Sequence, residues 1–431
     1  MFRSSLFVTA LSLFGSFLGL IVQLLMAQRY GSGVAVDTYL YAISTPTFLA
    51  GMIASMLSYT VVPRMAQHNG QTDKQSRLAV SLLALSAFIA VVLLFVSPLL
   101  QVLQKEMLPS YSPILQQPML SRLLLVGWGI AGMQVLNSAL CAILTGLEKA
   151  ITATFLNLSP YAGMLGFMLV ARENSIEQLA YGLLFGTTGS FLVAFYLLRT
   201  HILGHWRQAA WAEVHTLVLR SPYTIVAMSC FSAYAVVDSY WAPRAGEGVL
   251  ASLGYSQRII IALGNLAVAG PSAILVPKFS QILAKNDWAE FDQMLKKTFA
   301  STFAIGCILA LALYFGAESL IQLLFMRGEF DQRDVVRVAN VLQYCLPGMI
   351  CMLLSVIGLR VLFCFPNVEK IAAFLGLFWI AGYFSSSGFL INYFELGLAS
   401  SYSMSWLLYF ALLWIFIFKK TKAKFKRFYN D

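Results

Sequence analysis

Apolar runs of about twenty residues recur along this whole chain, and that is the length a helix needs to cross a bilayer core of about 30 Å. With that length as the window, spans fall near 6–28, 38–62, 78–103, 121–146, 150–171 and 178–199. A second set falls near 217–241, 249–276, 298–325, 335–363, 368–391 and 397–418. Inside lipid a backbone must satisfy its own hydrogen bonds, so runs of this length read as helices. The composition agrees. Of 431 residues, 59% are hydrophobic and 11% are charged, with a mean hydropathy of +0.75. A soluble domain carries about 25% charged residues. Charge this sparse cannot cover a water-facing surface. It excludes a soluble enzyme, a disordered chain and a nucleic-acid-binding domain. The first run, Leu6 to Ala27, is longer than the apolar core of a cleaved signal peptide and reads as a signal-anchor.

The net charge of +10 is topological. Twelve spans put both termini on one side, where the loops with their adjoining span ends hold 19 Lys and Arg against 8 Asp and Glu. The opposite loops and span ends hold 8 basic and 11 acidic residues, with Arg258 and Arg360 counted apart, inside spans. The positive-inside rule then places both termini in the cytoplasm. The basic tail from Lys419 to Arg427 is expected on anionic membrane lipids, and it also reads as a stop-transfer anchor. Segment 285–297 alternates apolar and charged residues with helical period and reads as an interfacial helix on the cytoplasmic face.

The two sets of six spans look duplicated. Val62-Pro63-Arg64-Met65-Ala66-Gln67 follows span two, and Val276-Pro277-Lys278-Phe279-Ser280-Gln281 follows span eight, 214 residues later. At the same offset Tyr41 falls on Tyr255, and Gly33-Val34-Ala35-Val36 lies near Gly248-Val249-Leu250. The expected architecture is an all-α integral membrane protein with two six-helix lobes, 1–205 and 206–418, and a basic tail, 419–431. Six helices shifted as a block keep their orientation, so the lobes are parallel repeats. Transporters built this way bind substrate between the halves and rock one against the other. Pro46, Pro98, Pro160, Pro271 and Pro347 mark expected kinks.

No catalytic arrangement is visible. There is no nucleophile with a nearby His, no acid cluster for a metal and no phosphate-binding Gly-x-x-x-x-Gly-Lys loop. The six cysteines sit singly in apolar runs, as small hydrophobes. His201 and His205 have the i, i+4 spacing of a metal pair, with no carboxylate or thiol beside them. Gln23, Asn137, Asn157 and Asn265 read as interhelical amides.

Three stretches carry a resemblance. They are Ala27-Gln28-Arg29-Tyr30-Gly31-Ser32-Gly33 with Asp37, then Gly254-Tyr255-Ser256-Gln257-Arg258 running on to Val276-Pro277-Lys278-Phe279-Ser280, and Leu324-Phe325-Met326-Arg327-Gly328-Glu329-Phe330-Asp331. Together the chain resembles the MviN/MurJ family of lipid II flippases, within the multidrug/oligosaccharidyl-lipid/polysaccharide exporter superfamily. The resemblance implies a V-shaped central cavity, a lipid-linked oligosaccharide substrate and a bacterial cytoplasmic membrane. It also implies a coupling cation, sodium or proton, in place of any cofactor. The family usually has fourteen helices and cavity arginines in spans one and two; here the matching places hold Ser16, Val22 and Ala50, and twelve spans are read.

Substrate contacts are expected at Arg258, Asp37, Arg29, Ser16 and Gln23. The Arg258 guanidinium suits a diphosphate because its fork donates two parallel hydrogen bonds; a salt bridge with Asp37 or Asp238 is the structural alternative. Asp37 also reads as a partner of Arg29 or a cap on span two. Arg360 is expected to snorkel to headgroups. Asp238 falls where some family members place an acidic sodium ligand, and Ser386, in Ser385-Ser386-Ser387 of span eleven, is the companion ligand expected there.

The expected function is flipping of a polyprenyl-diphosphate-linked sugar by a monomer that binds no nucleic acid. A proton- or sodium-coupled multidrug antiporter and a non-transporting scaffold are the alternatives. A reporter fusion tests the topology. Fused after Asp431, a phosphatase should be inactive and a cytoplasmic reporter active; an active phosphatase means the span count is wrong by one.

Overall fold

The computed structural model describes residues 2–67, 71–170, 175–204, 222–285, 287–365, 368–392 and 396–430, with 211, 214 and 215. Among them there are helices and turns but no strand. The first helices are α1 (Phe2–Tyr30), α2 (Val34–Gln67), α3 (Thr72–Glu106) and α4 (Leu120–Gly146). Then come α5 (Ala150–Leu156), α6 (Ser159–Val170), α7 (Glu177–Leu203), α8 (Pro222–Ser229) and α9 (Tyr234–Ala245). The series ends with α10 (Val249–Ala284), α11 (Trp288–Phe325), α12 (Gln332–Leu362), α13 (Glu369–Leu390) and α14 (Gly397–Asn430).

Among the described residues ten helical stretches are long and apolar enough to cross a membrane. They correspond to expected spans one to six and nine to twelve. Span seven is interrupted instead: a 3-10 turn at Cys230–Ala233 separates α8 from α9. Span eight lies within α10, a helix of 36 residues whose stretch Val249–Gly264 is apolar. Span five is broken as well. The Asn157 and Leu158 amides bond back to Ala153 and Phe155 and close α5. Pro160 follows at the second residue of α6, where its missing N–H has no intrahelical partner to lose. Pro98 and Pro347 lie inside α3 and α12, which run on through them.

Within the segment 285–297, residues 288–297 form the first turns of α11, a continuous helix of 38 residues capped by the Asp287 carboxylate on the Glu290 amide. Its apolar face meets protein rather than lipid. Phe291 packs edge-on against Phe279 and Phe365, at ring separations of 5.2 and 5.8 Å. On its polar side Lys296 pairs with Asp292 at 2.6 Å.

The duplication is visible in where helices begin. Val34 answers to Val249, Thr72 to Trp288 and Leu120 to Gln332, each pair 212 to 216 residues apart. By contact the chain divides into two compact units. One is Met1–Ala251 with the four-residue insert Arg327–Phe330; the other is Ser252–Met326 with Asp331–Asp431. The linker expected between the halves, 199–216, lies partly outside the described residues.

In the first unit α4 packs against α2, α3 and α7. Trp128, Ala131 and Val135 of α4 close on Ala50 of α2. The α6–α7 pair approaches backbone to backbone. A Cβ on Gly163 would stand 2.8 Å from Gly186 Cα, and one on Gly186 would collide with the Ser159 carbonyl. In the second unit α12 packs against α11 and α14, and α14 against α13. Trp379 of α13 meets Trp406 of α14 at 5.0 Å, and Tyr383 meets Tyr402 at 6.3 Å.

The α6–α7 crossing gives a paired test of helix packing. Gly186→Ala should destabilise the detergent-solubilised protein by about 1–3 kcal/mol, because backbone cannot yield as a side chain can. Gly189→Ala, whose Cβ would meet only Ser159 Oγ at 3.9 Å, should leave thermal unfolding unchanged or slightly raised.

Candidate functional site

Asp37 stands in the first turn of α2 and is only 3% exposed. A carboxylate in an apolar span costs about 2.5–3.5 kcal/mol unless something engages it. Here both oxygens are engaged. Oδ2 accepts from the Gly248 amide and Oδ1 from the Ala251 amide, each at 2.7 Å. These are orphan donors at the start of α10, where backbone N–H groups have no partner within the helix. A helix is usually capped by its own residue. Gly248 has no side chain to offer, so α2 supplies the cap. The positive end of the helix dipole adds to the attraction. The sequence reading offered Asp37 as a substrate contact, a partner of Arg29 or a cap on span two; the amides that its carboxylate caps here are those of α10.

The third motif folds as a turn onto the end of α1. Gly328 takes φ +62°, and its backbone lies so close to α1 that a Cβ would collide with the Gln28 carbonyl oxygen. That oxygen accepts from the Glu329 amide at 3.0 Å, and Phe330 is buried beside it. Asp331 then starts α12, its carboxylate accepting from the amides of Arg333 and Asp334 at 2.8 and 2.9 Å. The motif's residue order follows from these duties: a positive-φ glycine, a buried aromatic and a helix cap.

Next to this turn, Arg29 near the end of α1 is half-buried, with Nη1 shielded and no acceptor for it among the described residues. Tyr30 donates to the Ser175 carbonyl at 3.0 Å. Ser16 spends its hydroxyl within α1, on the Ser12 carbonyl at 3.2 Å, and Gln23 is half-buried on the same helix. Val22 and Ala50 are buried and apolar, at 3% and 1% exposure, so two of the places where the resembled family carries arginines are dry packing here.

Arg258 lies on α10, half-buried, two turns beyond the capped start. Its Nε is shielded and has no acceptor among the described residues. A guanidinium donor left unmet in such a place is ready for an incoming oxyanion. Asp238 is 2% exposed on α9, just past the 3-10 break in that span. Ser386 is buried on α13 and donates to the Tyr383 carbonyl at 3.2 Å. His201 Nδ1 lies 3.2 Å from Ser76 Oγ and so ties α7 to α3, while His205 lies outside the described residues.

The sequence reading missed a cluster within the first unit. Arg244, at the end of α9, donates to the Met107 carbonyl at 2.8 Å and to the Tyr240 carbonyl. Its guanidinium lies over the Tyr240 ring at 3.8 Å. Tyr41 donates to the Gln104 backbone oxygen, and Trp128 Nε1 to the Gln104 side-chain oxygen at 3.0 Å. The cluster fastens the ends of α3 and α9 and the body of α4 around α2. The aromatic pair ahead of Arg244 in Tyr240-Trp241-Ala242-Pro243-Arg244 was the available signal.

With this geometry in hand, comparison with known proteins is informative. The sequence model of the lipid II flippase MurJ family matches residues 26–431. A probable lipid II flippase MurJ of Treponema pallidum is 22% identical over 368 residues, covering 82% of this chain and 69% of that protein. Another, of Buchnera aphidicola, is 21% identical, covering 86% of this chain and 75% of that one. A third, of Bdellovibrio bacteriovorus, is 25% identical over 39% of this chain and spans about a third of that relative, 32%. Among solved structures, a lipid II flippase MurJ in an inward closed conformation superposes with a TM-score of 0.72 at 18% identity, covering 95% of this chain and 87% of that one. An inward-facing multidrug resistance MATE family transporter of the MOP superfamily superposes at 0.79 with 14% identity, covering 94% and 96%. At these identities the structures speak for the fold. The sequence match across nearly the whole chain speaks for descent: this multi-pass membrane protein belongs to the MurJ lipid II flippase family.

Proposed function

We propose that the chain flips a polyprenyl-diphosphate-linked sugar, lipid II or a related cell-envelope precursor, across the bacterial cytoplasmic membrane. The family match over residues 26–431 carries this reading. The duplicated helix order supports alternating access, in which one repeat rocks against the other around a site near the midplane. Arg258 is the residue assigned to the diphosphate, because its fork suits a phosphate oxygen pair and its Nε is unmet. The chain works as a monomer with both termini in the cytoplasm, crosses the membrane twelve times and catalyses no covalent step. Its energy comes from an ion gradient or the membrane potential. Asp238, placed after a helix break, is the group assigned to the coupling cation, with Ser386 as the second ligand proposed. The alternative is a proton- or sodium-coupled multidrug antiporter; the fold is shared with a multidrug resistance MATE family transporter.

Reconstituted vesicles separate the two readings. The proposal expects fluorescent lipid II or undecaprenyl-diphosphate-linked sugar to reach the opposite leaflet, with no export of a cationic dye; dye export without lipid flipping overturns it.

Two substitutions refine the site. Losing a contact to a buried charged group costs on the order of 2–5 kcal/mol. Arg258→Ala should therefore reduce flipping at least tenfold, and Arg258→Lys, which keeps charge but not the fork, should reduce it less. Folded yield should be unchanged in both. An Arg258→Ala protein that folds normally and flips at the wild-type rate removes Arg258 from the site.

Asp37→Asn should behave differently. It keeps one acceptor oxygen but loses the charge on the α10 cap, so thermal unfolding should fall by about 1–3 kcal/mol. Asp37→Ala should cost more.

A further inference from the structure

Two of the amides read as interhelical behave differently. Asn137 ties α4 to α7, its Oδ1 accepting from Ser190 Oγ at 2.8 Å. Asn157 stays open. It is exposed, although it stands at the break between α5 and α6, about 10 Å inside the span that begins at Ala150. Its Oδ1 is met by the Cys141 thiol, a weak donor at 3.6 Å, and its Nδ2 has no acceptor among the described residues. An amide turned on hydrocarbon in that state is costly.

The side chains nearby show that it faces elsewhere. Exposed Phe155, Leu169 and Val170 mark the lipid side of α5 and α6. Helical bonding holds as far as Asn157, whose amide donates to the Ala153 carbonyl. Two residues beyond Phe155, Asn157 therefore lies about 200° around the helix, away from lipid. The neighbouring helix α1 repeats the arrangement. Exposed Phe7, Phe14 and Phe17 mark its lipid side, while Thr9, Ser12 and Ser16 lie on the opposite side. These polar sides adjoin, for a Cβ on Gly15, beside Ser16, would stand 2.9 Å from Cδ2 of Leu158, beside Asn157. A broken helix at membrane depth persists where it is buried in protein or lines water. The exposed amide selects water.

This wall of the first unit carries no charge of either sign. Between Val8 and Gln28, α1 has no Asp, Glu, Lys or Arg, and neither do α4 after Arg122, α5 or α6. A cationic drug would find no carboxylate here, and a diphosphate no guanidinium. What the wall offers is neutral. Asn157 has its amide hydrogens to donate, and Ser12 and Ser16, whose own hydrogens go to the Val8 and Ser12 carbonyls, have oxygens to accept. Sugar hydroxyl and acetamido groups need that mixture of donors and acceptors. We propose that Asn157 is a specificity-determining residue that hydrogen-bonds the sugar head of the lipid-linked substrate, with Ser12 and Ser16 beside it. The inference rests on the flippase reading above and adds to it the place where the glycan, as distinct from its diphosphate, is recognised.

Vesicles reconstituted with the full chain test this with two probes, undecaprenyl diphosphate bearing an N-acetylated sugar and the same lipid without sugar. Asn157→Leu keeps the size of the side chain and removes its hydrogen-bonding atoms. At limiting lipid it should flip the sugar-bearing probe about tenfold more slowly and the sugar-free probe as wild type does. An equal fall for both probes, or no fall for either, overturns the contact. Wild-type protein that flips neither probe overturns the flippase reading itself, and the inference with it. A second measurement is independent of transport. In lipid nanodiscs a membrane-impermeant maleimide should label Asn157→Cys at least ~10-fold faster than Phe155→Cys, with mass spectrometry reading the labelled position. The sugar-bearing probe should slow that labelling severalfold and the sugar-free probe should not. Labelling no faster than at position 155 means that position 157 faces lipid. Labelling that neither probe slows, or that both slow equally, removes the sugar from the site. Each of these results overturns the proposal.

Discussion

A carboxylate answering two backbone amides holds this structure's first unit to the beginning of α10. Asp37 would be a costly guest in an apolar span, and the first amides of α10 would be costly orphans. Each removes the other's penalty. The pairing also explains where the contact boundary falls, since Ala251 is both the second amide donor and the last residue of the long segment assigned to the first unit. The four residues Arg327–Phe330 join that unit by the same means, a backbone bond to the end of α1. Both attachments use main-chain amides, the first donating to the Asp37 carboxylate and the second to the Gln28 carbonyl.

Elsewhere the departures from regular helix fall beside the polar residues. The 3-10 turn at Cys230–Ala233 directly precedes the helix that carries Asp238. The break at Asn157 lies beside the bonds of Ser190 to Asn137 and to the Leu156 carbonyl, at 2.8 and 3.0 Å. A broken helix in lipid survives only where other groups take up its freed backbone oxygens. Ser190 does so here for Leu156, while Ser159, just past the break, donates to the Gly186 carbonyl of α7. The long helices α3, α11 and α12 run on without such a break.

Much of this was legible in the sequence because length and periodicity are local. The apolar runs gave ten of the spans directly, and the Val-Pro-Arg and Val-Pro-Lys echoes anticipated the paired helix starts. Other features were not legible, for physical reasons. The partners of Asp37 are amides of Gly248 and Ala251, and a backbone N–H leaves no mark in a sequence. The turn at Cys230 contains no proline or glycine to announce it. The amphipathic period of 285–297 is the same whether its apolar face meets lipid or meets Phe279 and Phe365, so the period was read correctly and its partner was not. Arg258 could be located but not its unmet Nε, which depends on neighbours from other helices.

The cap on α10 also sets an order of events during synthesis. Asp37 leaves the ribosome 211 residues before Gly248, its first partner, and Gln28 waits still longer for Glu329. At about 5–20 residues per second the buried carboxylate spends roughly 10–40 s with neither amide in existence. During that interval neither amide bond that the finished structure gives the carboxylate can form. The start of α2 is therefore completed by the arrival of α10, and not by any helix synthesised before it.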